Sequence, residues 1–183
     1  MKPIYTLNAG EYFVGSFILE KYKEKEFKVW IPAKDEGIDL LVTDKNFKKS
    51  VSLQVKASKE YKSTYPHLKN FEACGWWTIK KDKLKTSQAD FWVFFIYDVK
   101  AQNQYIIIEP HKLLHKLIKI HSNALQTFQT YFWIAPKQKC WEGRDLGKDD
   151  INKIVSGNYR DENRDFSKYL NAWQQIENKL KKM

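Results

Sequence analysis

The sequence predicts an α/β fold: a mixed central β-sheet flanked by helices, ending in a long C-terminal helix. Three observations predict it. Residues 9–23 carry apolar side chains at helical spacing, residues 51–58 alternate apolar and polar as a strand does, and the second half intersperses short β-rich runs with helical stretches. With 183 residues the chain is long enough for one domain with a real core and short for two, so a single domain over residues 1–183 is expected. No internal repeat, low-complexity tract or Pro/Gly/Ser linker marks a boundary.

At about 100° per residue, Glu11 falls in the middle of an apolar arc with Val14, Gly15, Ile18, Leu19 and Tyr22. Glu20 falls on the opposite, solvated side. Phe13 and Phe17 lie outside the arc, so the helix is expected to be covered on more than one side. A strand over residues 27–31, a turn over 32–37 and an apolar strand over 38–42 follow. In residues 51–58, Val51, Leu53, Val55 and Ala57 point one way, while Ser52, Gln54, Lys56 and Ser58 point the other. Gln54 and Lys56 are therefore neighbours on one face.

A long polar connection over residues 59–71 contains Tyr61, Tyr65 and His67 and leads to Cys74, Gly75, Trp76 and Trp77. A short lysine-rich helix is expected over residues 80–87, then an antiparallel hairpin from strands over 91–97 and 105–109, closed by Pro110. Residues 111–120 read as a helix with Leu113, Leu114 and Leu117 inward, 130–135 as a short strand, 148–156 as a short helix and 162–181 as a long one. In that last segment Phe166, Tyr169, Leu170, Trp173, Ile176 and Leu180 form one apolar stripe, facing the core or a second subunit.

The formal net charge of +10 fits an acidic partner, of which nucleic acid is the commonest for a basic domain; it also fits a plain solvated surface. Nearly all of the excess is lysine, since Arg144, Arg160 and Arg164 are the only arginines. Cys74 and Cys140 are too few for a disulfide framework. With no charged-then-apolar leader and no apolar run near the ~20 residues of a membrane span, the protein is expected in the cytoplasm, off the membrane, with reduced thiols. No Gly-rich phosphate loop, nucleophile elbow or Cys/His zinc pattern occurs. His111 and His115 have a zinc-compatible spacing but no third ligand nearby.

Hydrolysis of a phosphodiester needs a cation against the phosphate, a positioned water and a group that makes that water nucleophilic. Asp39 and Glu11 supply carboxylates for a hard cation such as Mg2+ or Mn2+. Gln54 offers an amide oxygen and Val55 a backbone carbonyl, and Lys56 can meet the phosphate and the water. Taken singly each has an ordinary role: Asp39 as a strand-start hydrogen-bonding residue, Gln54 and Lys56 as the wet side of a strand, Glu11 as a first-turn carboxylate. Their joint order is what points to catalysis. Beside the motif, Lys56, Ser58, Lys59, Tyr61 and Lys69 are the expected nucleic-acid contacts, and Trp76 and Trp77 could stack bases or anchor the core.

The order helix with Glu11, turn, Gly37-Ile38-Asp39-Leu40-Leu41-Val42, then Leu53-Gln54-Val55-Lys56-Ala57 resembles the PD-(D/E)XK nuclease superfamily, in particular its Mrr-like restriction nucleases with Q-x-K in the last motif. The resemblance covers about residues 9–58. It implies a restriction-endonuclease-like domain and a metal-dependent endonuclease cutting DNA, of restriction or defence type. In it Glu11 and Asp39 bind metal and Lys56 acts on water and phosphate. Double-strand cleavage implies a homodimer, formed by the last helix, and target recognition by the second half of the chain or a partner protein. Ile38 replaces the proline before the aspartate, which many members also lack. Gln54 replaces the usual acidic ligand and removes one negative charge from the site. The alternatives are a catalytically inactive nucleic-acid-binding module of the same fold, a repair or junction-resolving nuclease, and a lysine-rich interaction domain unrelated to nucleases.

Overall fold

Helix α1 (Ala9–Lys21) begins at Asn8, whose side chain accepts the Glu11 amide at 3.1 Å while the Glu11 carboxylate accepts the Asn8 amide at 3.2 Å. This reciprocal cap satisfies two amides that a helix start leaves without partners. The computed structural model describes residues 8–33, 36–61, 66–97 and 103–181; Lys34, Asp35 and Tyr65 of the expected turn and loop lie outside them. Gly10, Glu11, Val14, Gly15 and Ile18 are buried, as the helical arc requires, and Glu20 is exposed. Leu19 departs from that arc and is 47% exposed. The buried side is rotated instead toward Phe13, which stacks on Tyr97, and Phe17, which packs against Tyr105 and Trp173.

Among the described residues, eight strands form two sheets: β1 (Lys28–Trp30), β2 (Leu40–Thr43), β3 (Ser50–Lys59), β4 (Ala73–Lys80), β5 (Phe91–Tyr97), β6 (Gln104–Ile108), β7 (Thr127–Ala135) and β8 (Lys139–Glu142). The five-stranded sheet runs β1-β2-β3-β5-β6 and is mixed, because β3 and β5 are parallel while its other pairs are antiparallel. The β4-β7-β8 sheet is antiparallel and was not anticipated. The remaining helices are α2 (Lys81–Lys85), α3 (Pro110–His121), α4 (Lys148–Ser156) and α5 (Gln174–Lys181). An α/β fold with a mixed sheet flanked by helices is thus what the chain adopts.

β5 shows why both faces of the large sheet are covered. Phe91, Val93 and Phe95 face α1 and α5, whereas Trp92, Phe94 and Ile96 join Phe128, Phe132 and Ile134 of the small sheet and Leu113 and Leu117 of α3. Trp77, Phe94 and Phe132 meet edge to face and tilted, with centroids 5.1–5.6 Å apart, and join the two sheets in one core. Among the described residues no helix is long and apolar enough to cross a membrane.

The long C-terminal helix is corrected. Residues 162–173 are not helical apart from a single 3-10 turn, Ser167–Tyr169, and α5 spans eight residues. The backbone here serves the sheet edges: the Phe166 amide donates to the Cys140 carbonyl at 2.8 Å, Leu170 bridges Ile106, and Asn171, at φ 48°, exchanges hydrogen bonds with Tyr105. An amide committed to a sheet edge is lost to a helix. The apolar stripe is divided accordingly. Phe166, Tyr169 and Leu170 enter the core between the sheets, and Trp173, Ile176 and Leu180 enter the core beneath α1. All six are buried within the chain, so this segment does not provide the expected apolar subunit contact.

Candidate active site

The site begins where β2 stops pairing. Leu40 pairs with Leu53, the Asp39 amide still donates to the Leu53 carbonyl at 2.8 Å, and beyond that point no strand among the described residues pairs with β3 on this side. Gly37, at φ 91°, turns the chain into this strand; a side chain there would be strained in the left-handed region. Asp39 is thereby placed over the β3 edge. Its Oδ2 accepts the Val55 amide at 2.6 Å and the side-chain amide of Gln54.

Asp39 and Gln54 are 8% and 7% exposed, so Gln54 is not on the wet face of a half-buried strand. Since N–H and C=O of a strand residue leave on the same side, the Val55 carbonyl also leaves β3 toward Asp39. Val55 itself points into the core, as alternation predicted. Lys56, the next residue, projects into a cleft of about 510 Å³ walled by Glu36, Gly37, Gln54, Thr78, Ile79, Lys80, Lys83, Thr86, Ser87, Gln88 and Trp92. Its Nζ lies 5.6 Å from the centre of the Trp92 ring, and the Trp92 indole donates to Ser87 Oγ at 2.9 Å. A cation over an indole face is attracted to it, which holds the ammonium inside the cleft.

Glu11 reaches the neighbourhood through a close contact of α1 with β3. A Cβ on Gly10 would lie 2.5 Å from that of Ala57, so glycine is what lets the helix start sit against the strand. Glu11 is 8% exposed, and its carboxylate is turned back onto Asn8 in the helix cap. The structure brings Asp39, Gln54, Val55 and Lys56 together and gives Glu11 a capping function beside them.

The oxygens of Asp39, Gln54 and Val55 are all hard donors, the kind that Mg2+ and Mn2+ take. Such a set fits a cation that keeps several waters and draws further oxygens from a phosphate. Asp39 is the carboxylate at the β3 edge, the Glu11 carboxylate is hydrogen-bonded to Asn8, and the Gln54 amide presents its nitrogen to Asp39. Among the described residues no group of three His, Cys, Asp or Glu able to hold a metal occurs, and His111 and His115 lie exposed on α3.

The expected nucleic-acid contacts separate. Lys56 lines the cleft and Lys59 and Lys69 are exposed. Ser58 Oγ accepts the Trp76 amide at 3.3 Å, which ties β3 to β4. Tyr61 packs edge-on to Tyr131, and its hydroxyl accepts the Trp133 indole at 2.9 Å, a role in holding the loop to the small sheet. Sequence reasoning missed the far wall of the cleft: Thr78, Lys80, Lys83, Ser87 and Trp92. The signal for part of it was present, since Trp76, Thr78 and Lys80 alternate with Trp77 and Ile79. For Trp92 there was none, because β5 is an unbroken apolar run buried on both faces.

Compared with known proteins, the chain matches no family model and no curated sequence.

Proposed function

We propose that the protein is a divalent-metal-dependent endonuclease that hydrolyses DNA phosphodiester bonds, of restriction or defence type, on a PD-(D/E)XK-like domain. The observation that carries the reading is the convergence of Asp39, the Gln54 side chain and the Val55 backbone at one strand end, with Lys56 projecting from the next position into a cleft. Mg2+ or Mn2+ held by the Asp39 carboxylate, the Gln54 amide oxygen and the Val55 carbonyl would offset the charge that builds on the phosphate. Lys56 meets the scissile phosphate with its ammonium and orders the attacking water. Lys80 and Lys83, on the opposite wall, hold the flanking backbone. Cutting both strands needs two sites, so the enzyme works as a homodimer, with target choice left to the second half of the chain or a partner protein. A cytoplasmic setting belongs to the same proposal.

The test is cleavage of plasmid and branched DNA with Mg2+, Mn2+ or chelator, beside Asp39→Ala and Lys56→Ala. Metal-dependent nicking that drops roughly 10²-fold or more in Lys56→Ala supports the reading. Equal activity in all three proteins refutes the site.

A second reading has its own observations. Gln54 donates to Asp39, and Glu11 is engaged in a helix cap, both of which suit a catalytically inactive module that binds nucleic acid on the same fold. Salt-sensitive DNA binding without cleavage under any metal identifies it.

A further inference from the structure

We infer that the outer face of the small sheet is a stacking platform for an unpaired DNA strand that continues into the cleft; the choice of DNA rests on the nuclease reading. β4 presents Trp76, Thr78 and Lys80 outward and buries Trp77 and Ile79. Thr78 and Lys80 also wall the cleft, so one row of side chains runs from the cleft to an exposed indole. Trp76 is 51% exposed, and its ring is held parallel to Tyr131 of β7, with centroids 6.5 Å apart and planes at 24°. A large planar ring kept in solvent and pre-ordered by a neighbour is suited to a planar ligand.

The position of the platform is fixed relative to Lys56 by two hydrogen bonds. The Trp76 amide donates to Ser58 Oγ at 3.3 Å, and the Trp77 indole donates to the Lys56 carbonyl at 3.1 Å. Ser58 and Lys56 lie two positions apart on the same side of β3, roughly 7 Å. A base on Trp76 and a phosphate at Lys56 thus belong to one continuous strand.

Charge and shape together select the occupant. Among the described residues the cleft is lined by Lys56, Lys80 and Lys83 against one acidic residue, Glu36, which favours a polyanion. Stacking on an aromatic side chain needs an open base face, which a duplex hides and a single strand offers. A single-stranded or locally melted DNA meets both conditions.

The experiment measures binding of a short fluorescein-labelled oligonucleotide, single-stranded and as its duplex, by anisotropy in chelator, where no metal-dependent cleavage occurs. The single strand is expected to bind tighter than the duplex. Trp76→Ala should weaken single-strand binding roughly fivefold or more, with Trp76→Phe retaining most of it. Lys80→Gln should reduce the slope of log affinity against log salt by about 0.7. Trp30→Ala is the control, because Trp30 is 48% exposed but lies on β1 at the far edge of the large sheet; its binding should match the unmodified protein. Unchanged single-strand binding in Trp76→Ala, or a duplex preference, overturns the inference even if metal-dependent cleavage is found. Self-association lost in Trp76→Ala, with no oligonucleotide bound by either protein, would assign the face to a second copy and also overturn it. Conversely, Trp76-dependent binding without cleavage under any metal would retire the nuclease reading and leave this one standing.

Discussion

The side-chain amide of Gln54 donates to the carboxylate of Asp39, and the next backbone amide, Val55, donates to the same oxygen at 2.6 Å. This pairing does two things. It fixes the carboxylate at the end of β2, and it leaves the question of whether a cation enters between the two side chains to the charge of residue 54. Gln54→Glu would set a second carboxylate against Asp39. Two like charges in contact destabilise the folded state until a cation separates them. The expected outcome is a lower unfolding temperature than the unmodified protein in chelator, and a larger rise on adding Mg2+, because a ligand that binds only the folded state stabilises it. Thermal unfolding with and without Mg2+ checks this. If Mg2+ shifts neither protein, the pair is a structural hydrogen bond and the metal assignment fails.

Gly10 tests the seat of α1. A Cβ there would come within 2.5 Å of the Ala57 Cβ and 3.3 Å of Asn8 Oδ1, closer than packed atoms stand. Gly10→Ala should therefore lose about 1–3 kcal/mol in urea unfolding, against the small gain that alanine normally brings to a helix. Gly10→Ala combined with Ala57→Gly should recover most of the loss, since the 2.5 Å clash is then gone and the new methyl meets only the ordinary contact of the Ala57 Cα at 3.7 Å and the tighter one of Asn8 Oδ1 at 3.3 Å. Additive losses in the double variant would show that the helix and strand do not touch here.

The Glu142 carboxylate is fully buried and is held by the Arg164 guanidinium at 2.7 Å and by the Tyr131 and Arg144 amides, each at 3.2 Å. Arg164 also donates to the Glu142 and Arg144 carbonyls, so one guanidinium ties the 161–165 turn to the end of β8. Arg164→Met should cost about 3–5 kcal/mol in chemical denaturation, because it strands a buried charge. Arg164→Met with Glu142→Leu should cost less than the single change, since neither charge is then left alone. A milder single variant would mean that solvent, or the buried His121 imidazole 3.6 Å from the carboxylate, takes over from the guanidinium.

These sites differ in how far the sequence foretold them. Asp39, Val55 and Lys56 are legible because strand alternation and the turn before residue 38 fix both side and order. Glu11 was readable as buried from its helical arc, yet its capping partner Asn8 was not weighed, and Asn8 decides where the carboxylate points. Of the small sheet only residues 130–135, within β7, were foreseen as a strand; the sheet itself was missed because β4 pairs with β7 some fifty residues on and is interrupted by Gly75. Gly75 fits against Trp77 and Ile96, a tertiary reason that no local pattern carries. The failed long helix has the same origin. Residues 166–180 have ideal helical spacing, but residues 166–171 give their backbone to the edges of two sheets whose positions the spacing does not encode.

Glu177 links α5 to the turn after α1, and its ionisation gives the fold an acid limit. Its carboxyl is held down at about 2, from an ordinary 4.5, first by the Lys181 ammonium and then by that of Lys25, both hydrogen-bonded to it. The folded protein thus binds this proton less readily than the unfolded chain. The stabilisation is fully present above about pH 4.5 and is lost as pH falls toward 2. Urea midpoints measured across that window should decline more steeply for the unmodified protein than for Glu177→Gln, and the two should differ most near neutral pH. Lys181→Gln should remove the larger part of the difference and Lys25→Gln the smaller. Added salt should weaken it, as the pair lies near the surface. Asp44, lowered chiefly by the Lys49 amide, titrates in the same sense, so Glu177→Gln should keep a residual slope. Parallel curves for Glu177→Gln and the unmodified protein would mean that the lysines do not hold this carboxylate in solution.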